Sequence, residues 1–282
     1  MTTRIVSYSE LDSYRQCPHK HELSYKQRWR GANTSEALAR GTLWHLLMER
    51  HYTELINRDS TTDQRLTQAR DVTLANAGEH AELLAWMYEG HLEMWGLDEE
   101  WEILAVEHPI ETWLPTAKGG RSTFKLKAKL DLVIRQHGKI WVVDHKTCKN
   151  LPKDKELDID DQFGLYTWAM RRTGTNVFGS IHNAARTQRN KNPERFPQEL
   201  DERFNRTMLY RTDIELETLA LEAYRTALGA YRWAPGEAPR APNTDTCRWR
   251  CDYTEACLLG RKGVDETQVL LDSGYIQDFT RH

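Results

Sequence analysis

Long apolar runs are missing from this 282-residue chain, in which 39% of residues are hydrophobic and 29% charged, with a mean hydropathy of −0.74. A bilayer-spanning helix needs about 20 consecutive apolar residues, so a membrane protein is excluded. The opening residues MTTRIVSYSELDSY also lack the apolar core of a secretory signal, and the expected location is cytoplasmic. Cysteine is scarce, with five residues. An odd count in a reducing compartment reads as thiols or metal ligands before disulfides, and a chain of this length needs no disulfide staple to make a core. No G-x-x-x-x-G-K-[ST] phosphate loop is present, which excludes an ATP-driven motor. Internal repeats and low-complexity segments are absent as well.

Charge of one sign is also missing overall: 39 basic against 42 acidic residues give −3, which argues against bulk coating of nucleic acid. The distribution is uneven. Residues 121–153 hold nine Lys/Arg against Asp131 and Asp144, a local +7, and residues 171–211 hold nine against four acids, a local +5, leaving −15 on the remainder. Such segregation makes either two solvated faces or one basic face that collects phosphates on an acidic body.

Ser7-Tyr-Ser-Glu10 has capping-box spacing and predicts a helix from residue 8 past Cys17. Ser35 caps a second helix to about residue 57, with Leu38, Leu43, Leu46, Leu47 and Tyr52 as its stripe. Helices also fit 63–77, 79–96, 158–172 and 212–233. Strands fit 101–114, 122–135, 139–144 and 177–184, with turns at Lys118-Gly119-Gly120 and His137-Gly138. A proline loop, a cysteine cluster and a polar tail close the chain. The class is mixed α/β, a central sheet flanked by helices.

On strand 122–135, Lys125, Lys127, Lys129 and Asp131 share one face, opposite an apolar one. Asp144 and Lys146 share a face of the next strand, roughly 6–7 Å apart. A short hairpin brings the two aspartates toward each other. Two carboxylates and an ammonium on a basic surface suit a hard divalent cation beside a phosphate; the plainer reading is ordinary ion pairs on a solvated sheet. His45 lies one helical turn after Gly41, whose missing side chain allows close backbone approach. Gln162 and Tyr166 are spaced i, i+4 on the following helix.

In this order the pieces resemble the RecB-type branch of the PD-(D/E)XK nucleases, and within it the four-cysteine iron–sulfur exonucleases associated with CRISPR systems and phages. The likeness is carried by Ser7 to Cys17-Pro18, Gly41-x-x-x-His45, Leu130-Asp131, Asp144-His145-Lys146, Gln162-x-x-x-Tyr166 and the C-terminal cysteines. The resemblance implies a restriction-endonuclease-like core. His45, Asp131, Asp144 and the backbone carbonyl of His145 would hold Mg²⁺ or Mn²⁺. Lys146 would position or activate water, and Gln162 and Tyr166 would steady the site and the DNA backbone. Glu107 is a further acidic candidate.

By the same resemblance Cys17, Cys247, Cys251 and Cys257 would hold a [4Fe–4S] cluster that clasps the two ends of the chain. The gap between Cys247 and Cys251 is three residues, where the family pattern has two. Zinc also accepts four thiolates, and spacing alone does not separate the metals. Cys148 stands apart. The expected layout is one nuclease domain over 1–260, with 1–30 and 245–260 forming the clasp, 31–233 the core and 261–282 a tail. The expected activity is exonucleolytic hydrolysis of DNA with a free end and a single-stranded portion, in end processing, recombination or repair, with a helicase or strand-annealing partner supplied from elsewhere. The alternative is an iron–sulfur DNA-binding scaffold with a silent site.

Overall fold

The structure is a computed structural model and describes residues 3–32 and 35–280. In chain order its elements are β1 (Arg4–Val6), α1 (Tyr8–Gln16), α2 (Pro18–His21), β2 (Trp29–Gly31), α3 (Glu36–Leu55), α4 (Thr62–Ala75), α5 (Ala81–Trp95), β3 (Glu102–Pro115), β4 (Arg121–Gln136), β5 (Lys139–Cys148), α6 (Asp154–Asp158), α7 (Asp161–Arg172), β6 (Val177–Arg186), α8 (Leu200–Arg203), β7 (Phe204–Leu209), α9 (Asp213–Ala230), α10 (Thr244–Trp249), α11 (Thr254–Gly260), α12 (Glu266–Asp272) and β8 (Tyr275–Gln277). They form two compact units, one of Ser35–Thr112 and Lys127–Leu219, the other of Met1–Thr34, Trp113–Leu126 and Ala220–His282. Among the described residues no helix is long and apolar enough to cross a membrane.

The first unit is a mixed sheet between helices, the α/β class read from the sequence. β4 runs antiparallel to β5, from Leu132↔Val143 to Gln136↔Lys139. β5 is parallel to β6, with His145 opposite Asn183, and β6 is antiparallel to β7, with Asn183 opposite Arg206. Parallel pairing of β5 with β6 requires a crossover, and α6 and α7 provide it. Period-2 alternation then divides the faces. Leu132, Ile134, Trp141, Val143 and Ile181 join Trp44, Leu47, Met48, Tyr52, Leu84 and Met87 in one core, under α3, α4 and α5. On the other face α7 packs against β6, where the Thr167 and Ser180 hydroxyls lie 2.7 Å apart and Phe163 meets His182 edge-on.

Ser35 caps α3 as expected, its hydroxyl accepting from Leu38 N–H. Leu38 itself is exposed, because the helix buries the stripe Trp44, Leu47, Met48, His51, Tyr52 and Leu55 instead. Its i, i+3/i+4 spacing follows the helical period. β7, unseen in the sequence, completes the sheet edge.

In the other unit β1 lies parallel to the start of β4, and β2 pairs antiparallel with β8. Ser7 caps α1, its hydroxyl accepting from Glu10 N–H. The Glu10 carboxylate turns inward to His21 and to the Tyr231 hydroxyl rather than back to the cap. α1 stops at Gln16 instead of running past Cys17. Pro18 disfavours helical geometry at the residue before it, and Cys17 is extended, with φ −165° and ψ 123°. Leu23, Trp29, Tyr253, Ala256 and Leu270 form a small core that joins the N- and C-terminal segments. The stretch after residue 260, expected to be a polar tail, contributes α12 and β8 to this unit.

Candidate active site

His45, Asp131, Asp144, Lys146, Gln162 and Tyr166 all belong to the first unit. Asp131 comes one residue before Leu132, which pairs with Val143, so continuing the antiparallel register sets it opposite Asp144. Its Oδ2 accepts from the His145 backbone N–H at 2.8 Å and lies 3.2 Å from His45 Nδ1. The α3 helix delivers that imidazole. A Cβ placed on Gly41 would sit 3.4 Å from the Thr147 hydroxyl of β5, an ordinary contact with a side chain, so the close backbone approach expected of this glycine is not what the helix uses here.

Asp144 is buried and meets the Lys146 ammonium at 2.6 Å. Gln162 Nε2 reaches Asp144 Oδ1 at 3.4 Å and the Tyr166 hydroxyl at 2.8 Å. The ligand atoms of His45, Asp131 and Asp144 do not all fall within 4.8 Å of one another. Asp131 is drawn to His45 and the strand N–H, Asp144 to Lys146 and Gln162. Glu107 pairs with Lys129 instead of joining the carboxylates.

Burial sets the electrostatics. Desolvation, against the pull of Lys146 and with the push of Asp131, raises Asp144 to about 6. Asp131 is lowered: burial opposes its charge, but the His45 hydrogen bond and charge prevail. His45 is raised, since Asp131 and Asp144 outweigh its own desolvation. Burial works against the Lys146 ammonium too, yet Asp144 raises it, so it stays charged near neutrality. Desolvation raises Tyr166 to about 12 and lowers His145 to about 3, keeping that ring neutral.

These residues fit a hard divalent ion. Carboxylates and a carbonyl with one imidazole suit Mg²⁺ or Mn²⁺. Asp144 is buried with the Lys146 ammonium on its Oδ2, yet burial still raises its pKa, so a further cation beside it would lower the cost of its charge.

The second unit brings the four spaced cysteines together. Cys17, Cys247, Cys251 and Cys257 line one cavity of about 260 Å³. Backbone N–H groups of Ala241 and Asn243 point at Cys17 Sγ and Cys247 Sγ at 3.4 and 3.5 Å, and the Arg240 guanidinium lies beside Cys257, whose thiol is nonetheless raised by burial. N–H donors aimed at sulfur suit metal-bound thiolates, whose charge they stabilise. His19 and Glu266, which no spacing or motif singles out, bring ligand atoms within 4.8 Å of Cys257. They pair with each other at 2.8 Å. Cys148 lies outside the group, on β5, its thiol raised to about 11 by burial.

The sequence profile of the PD-(D/E)XK nuclease superfamily matches residues 5–258. The chain belongs to this superfamily. It is a nuclease by family, and PD-(D/E)XK nucleases act on DNA and generally use Mg²⁺ or Mn²⁺, in keeping with the donor set around Asp144. Among solved structures, a "putative exonuclease" from Eubacterium rectale is similar at 15% identity, over 89% of this chain and 87% of that one, with a TM-score of 0.48. A protein named SSO0001 is similar at 14% identity, over 86% and 91% of the two chains, with a TM-score of 0.34. No curated protein matches the sequence.

Proposed function

We propose that the protein is a metal-dependent DNA exonuclease of the RecB-type branch, in which Asp144-His145-Lys146 supplies the D-x-K of the superfamily. The supporting observation is the meeting of Asp144, Lys146, Gln162 and Tyr166 beside Asp131 and His45. His45, Asp131, Asp144 and the His145 carbonyl hold Mg²⁺ or Mn²⁺, which lowers the pKa of bound water and offsets charge on the phosphate. Lys146, kept as an ammonium by Asp144, orients the attacking water and opposes the negative charge that grows in the transition state. Gln162 holds Asp144 Oδ1 and the Tyr166 hydroxyl in place and, with Tyr166, steadies the DNA backbone. Asp131 fixes the His45 ring through its hydrogen bond.

Cys17, Cys247, Cys251 and Cys257 hold a [4Fe–4S] cluster that clasps the chain ends, a reading supported by their common cavity and the N–H groups directed at two of the sulfurs. Zinc is the competing occupant, and His19 and Glu266 beside Cys257 favour testing it. Residues 1–260 act as one nuclease domain on DNA with a free end and a single-stranded portion, in end processing, recombination or repair, in a phage or CRISPR-associated setting. Any helicase or strand-annealing partner comes from another chain, and the protein works in the cytoplasm.

The test is cleavage of 5′-labelled, 3′-labelled and circular DNA with Mn²⁺ or Mg²⁺, wild type against Asp144→Ala. Loss of linear DNA alone, abolished in the variant, supports the exonuclease. Cutting of circles makes it an endonuclease. DNA binding without cleavage under either metal moves the assignment to the silent scaffold.

A further inference from the structure

His145, the middle residue of the Asp-x-Lys strand, points its side chain away from Asp144 and Lys146, into a closed ring of buried polar groups. Arg206 Nε donates to Asn183 Oδ1 at 3.3 Å, and Asn183 Nδ2 contacts His145 Nδ1 at 2.9 Å. The His145 ring stacks on Tyr52, with centroids 5.4 Å apart and planes 11° from parallel. Tyr52 donates its hydroxyl to Asp98 Oδ2 at 2.8 Å, and Asp98 returns to Arg206 through both guanidinium Nη atoms. His145, Asn183 and Arg206 are direct cross-strand neighbours on β5, β6 and β7. The ring therefore ties three strands and α3 to one backbone position.

The donors run one way around part of this ring. A guanidinium only donates, so Arg206 turns the Asn183 carbonyl toward itself and the amide NH₂ toward His145. Nδ1 of His145 must then accept, which fixes its tautomer and rotamer. The guanidinium carbon lies over the rings of both Trp95 and Trp101, 4.1 Å from each ring centre, and Asp98 and Asn183 are buried. Burying an Arg–Asp pair gains little stability over apolar packing of the same shape. What this pair secures is a position: residue 145, whose N–H holds Asp131 at 2.8 Å.

We infer that Tyr52, Asp98, Asn183 and Arg206 are positioning residues for the catalytic metal, acting through the backbone of His145. The inference rests on the nuclease reading of the site. None of the four is in the ligand set; they set the orientation of the peptide groups on either side of residue 145, one of which carries the N–H to Asp131 and the other the carbonyl offered to the ion. Outer residues that orient ligands typically change metal affinity by about 10- to 100-fold when removed.

The experiment titrates full-length protein with Mn²⁺ by calorimetry and measures the Mn²⁺ concentration for half-maximal cleavage alongside. Asn183→Leu keeps the branched shape at somewhat greater volume and removes both links, and is expected to weaken Mn²⁺ binding by about 10- to 100-fold, with the lost rate recovered on raising Mn²⁺. Tyr52→Phe keeps the stack and cuts only the hydroxyl's links to Asp98 and Arg206; it should shift the same midpoint less, and carries the test if Asn183→Leu does not fold. A folded variant with wild-type Mn²⁺ affinity overturns the inference, as does a lowered melting temperature with no shift in the metal midpoint. If wild type binds no Mn²⁺, or Asp144→Ala binds it as wild type does, the assignment of the site falls first, a result distinct from normal binding in Asn183→Leu alone.

Discussion

Asp144 and Lys146 stand on one face of β5 and share a 2.6 Å ion pair, but they are unequally buried: the carboxylate side chain is 6% exposed and the lysine 33%. The asymmetry decides what each substitution does. Lys146→Ala leaves a buried carboxylate without its cation, whereas Asp144→Ala leaves an ammonium that can turn to water. Both abolish cleavage, and Lys146→Ala lowers the stability of the metal-free protein more. Its cost stays below the roughly 3–5 kcal/mol for breaking a fully buried pair, since the lysine is part-exposed and the carboxyl can take up a proton. Urea melts of the two variants, set beside their activity on labelled DNA, check the order.

If Asp144 is a ligand, protons compete with the metal there. Its carboxyl, raised to about 6 by burial, is neutral below that pH and charged above it. A metal needs the charged form, so Mn²⁺ affinity should fall as pH drops through about 6, and by more than an ordinary carboxylate near 4 would allow. Calorimetric titration between pH 5 and pH 8 reads this directly. Constant affinity across that range would remove Asp144 from the ligand set.

Two helical glycines separate packing from propensity. A Cβ on Gly41 meets only the Thr147 hydroxyl at 3.4 Å, an ordinary contact, while one on Gly90 runs into Arg203 and lies 2.7 Å from the Phe204 ring. Alanine gains about 1 kcal/mol over glycine inside a helix. Gly41→Ala should therefore be neutral to stabilising by up to that amount. Gly90→Ala should lose about 1–3 kcal/mol, because the core must shift to admit the methyl. Thermal melts of both variants decide it.

The order of helices and strands was readable because its signals are local. Ser35 caps α3, Gly138 turns β4 into β5, and the alternation of β4 puts Lys127, Lys129 and Asp131 on the more exposed face. Asp144 beside Lys146 was legible from period 2 alone. The ring around His145 was not: Tyr52, Asp98, Asn183 and Arg206 meet across up to 154 residues of sequence, and no spacing rule links them. β7 and the short β1 went unseen because their pairing is set by neighbours in the sheet rather than by their own pattern. Cys17 was legible as a residue; its exit from the helix was encoded by Pro18, a local signal that the capping box overshadowed.

The exposed face of β4 gives a prediction about substrate. Lys127 is exposed, two and four residues along the strand from Lys129 and Asp131, and Lys129 is engaged by Glu107. A single strand drawn toward Asp131 along this face would have its phosphates met by Lys127. Lys127→Ala should weaken DNA binding about equally across sequences and reduce the salt dependence by roughly one phosphate contact, a slope change of about 0.7 for single strands. Binding isotherms at several salt concentrations measure the slope, and an unchanged slope would take Lys127 off the DNA path.

The cysteines supply an internal control. Cys251 packs against the small core of Leu23, Trp29 and Tyr253 and lines the four-cysteine cavity, whereas Cys148 lies on β5 with its thiol held protonated by burial. Loss of one thiolate should release the bound metal and loosen the segment that joins the chain ends, since a ligand site that exists only in the folded state contributes its binding energy to folding. Cys251→Ala is therefore expected to lose brown colour, or zinc, and to melt at lower temperature, while Cys148→Ala keeps both metal content and melting temperature close to wild type. Elemental analysis for iron and zinc, with visible absorption and a thermal melt on each variant, separates the outcomes. Iron with a broad visible band supports the cluster and zinc the tetrahedral alternative. Equal metal loss in both variants would mean that the four-cysteine cavity is not where the metal is held.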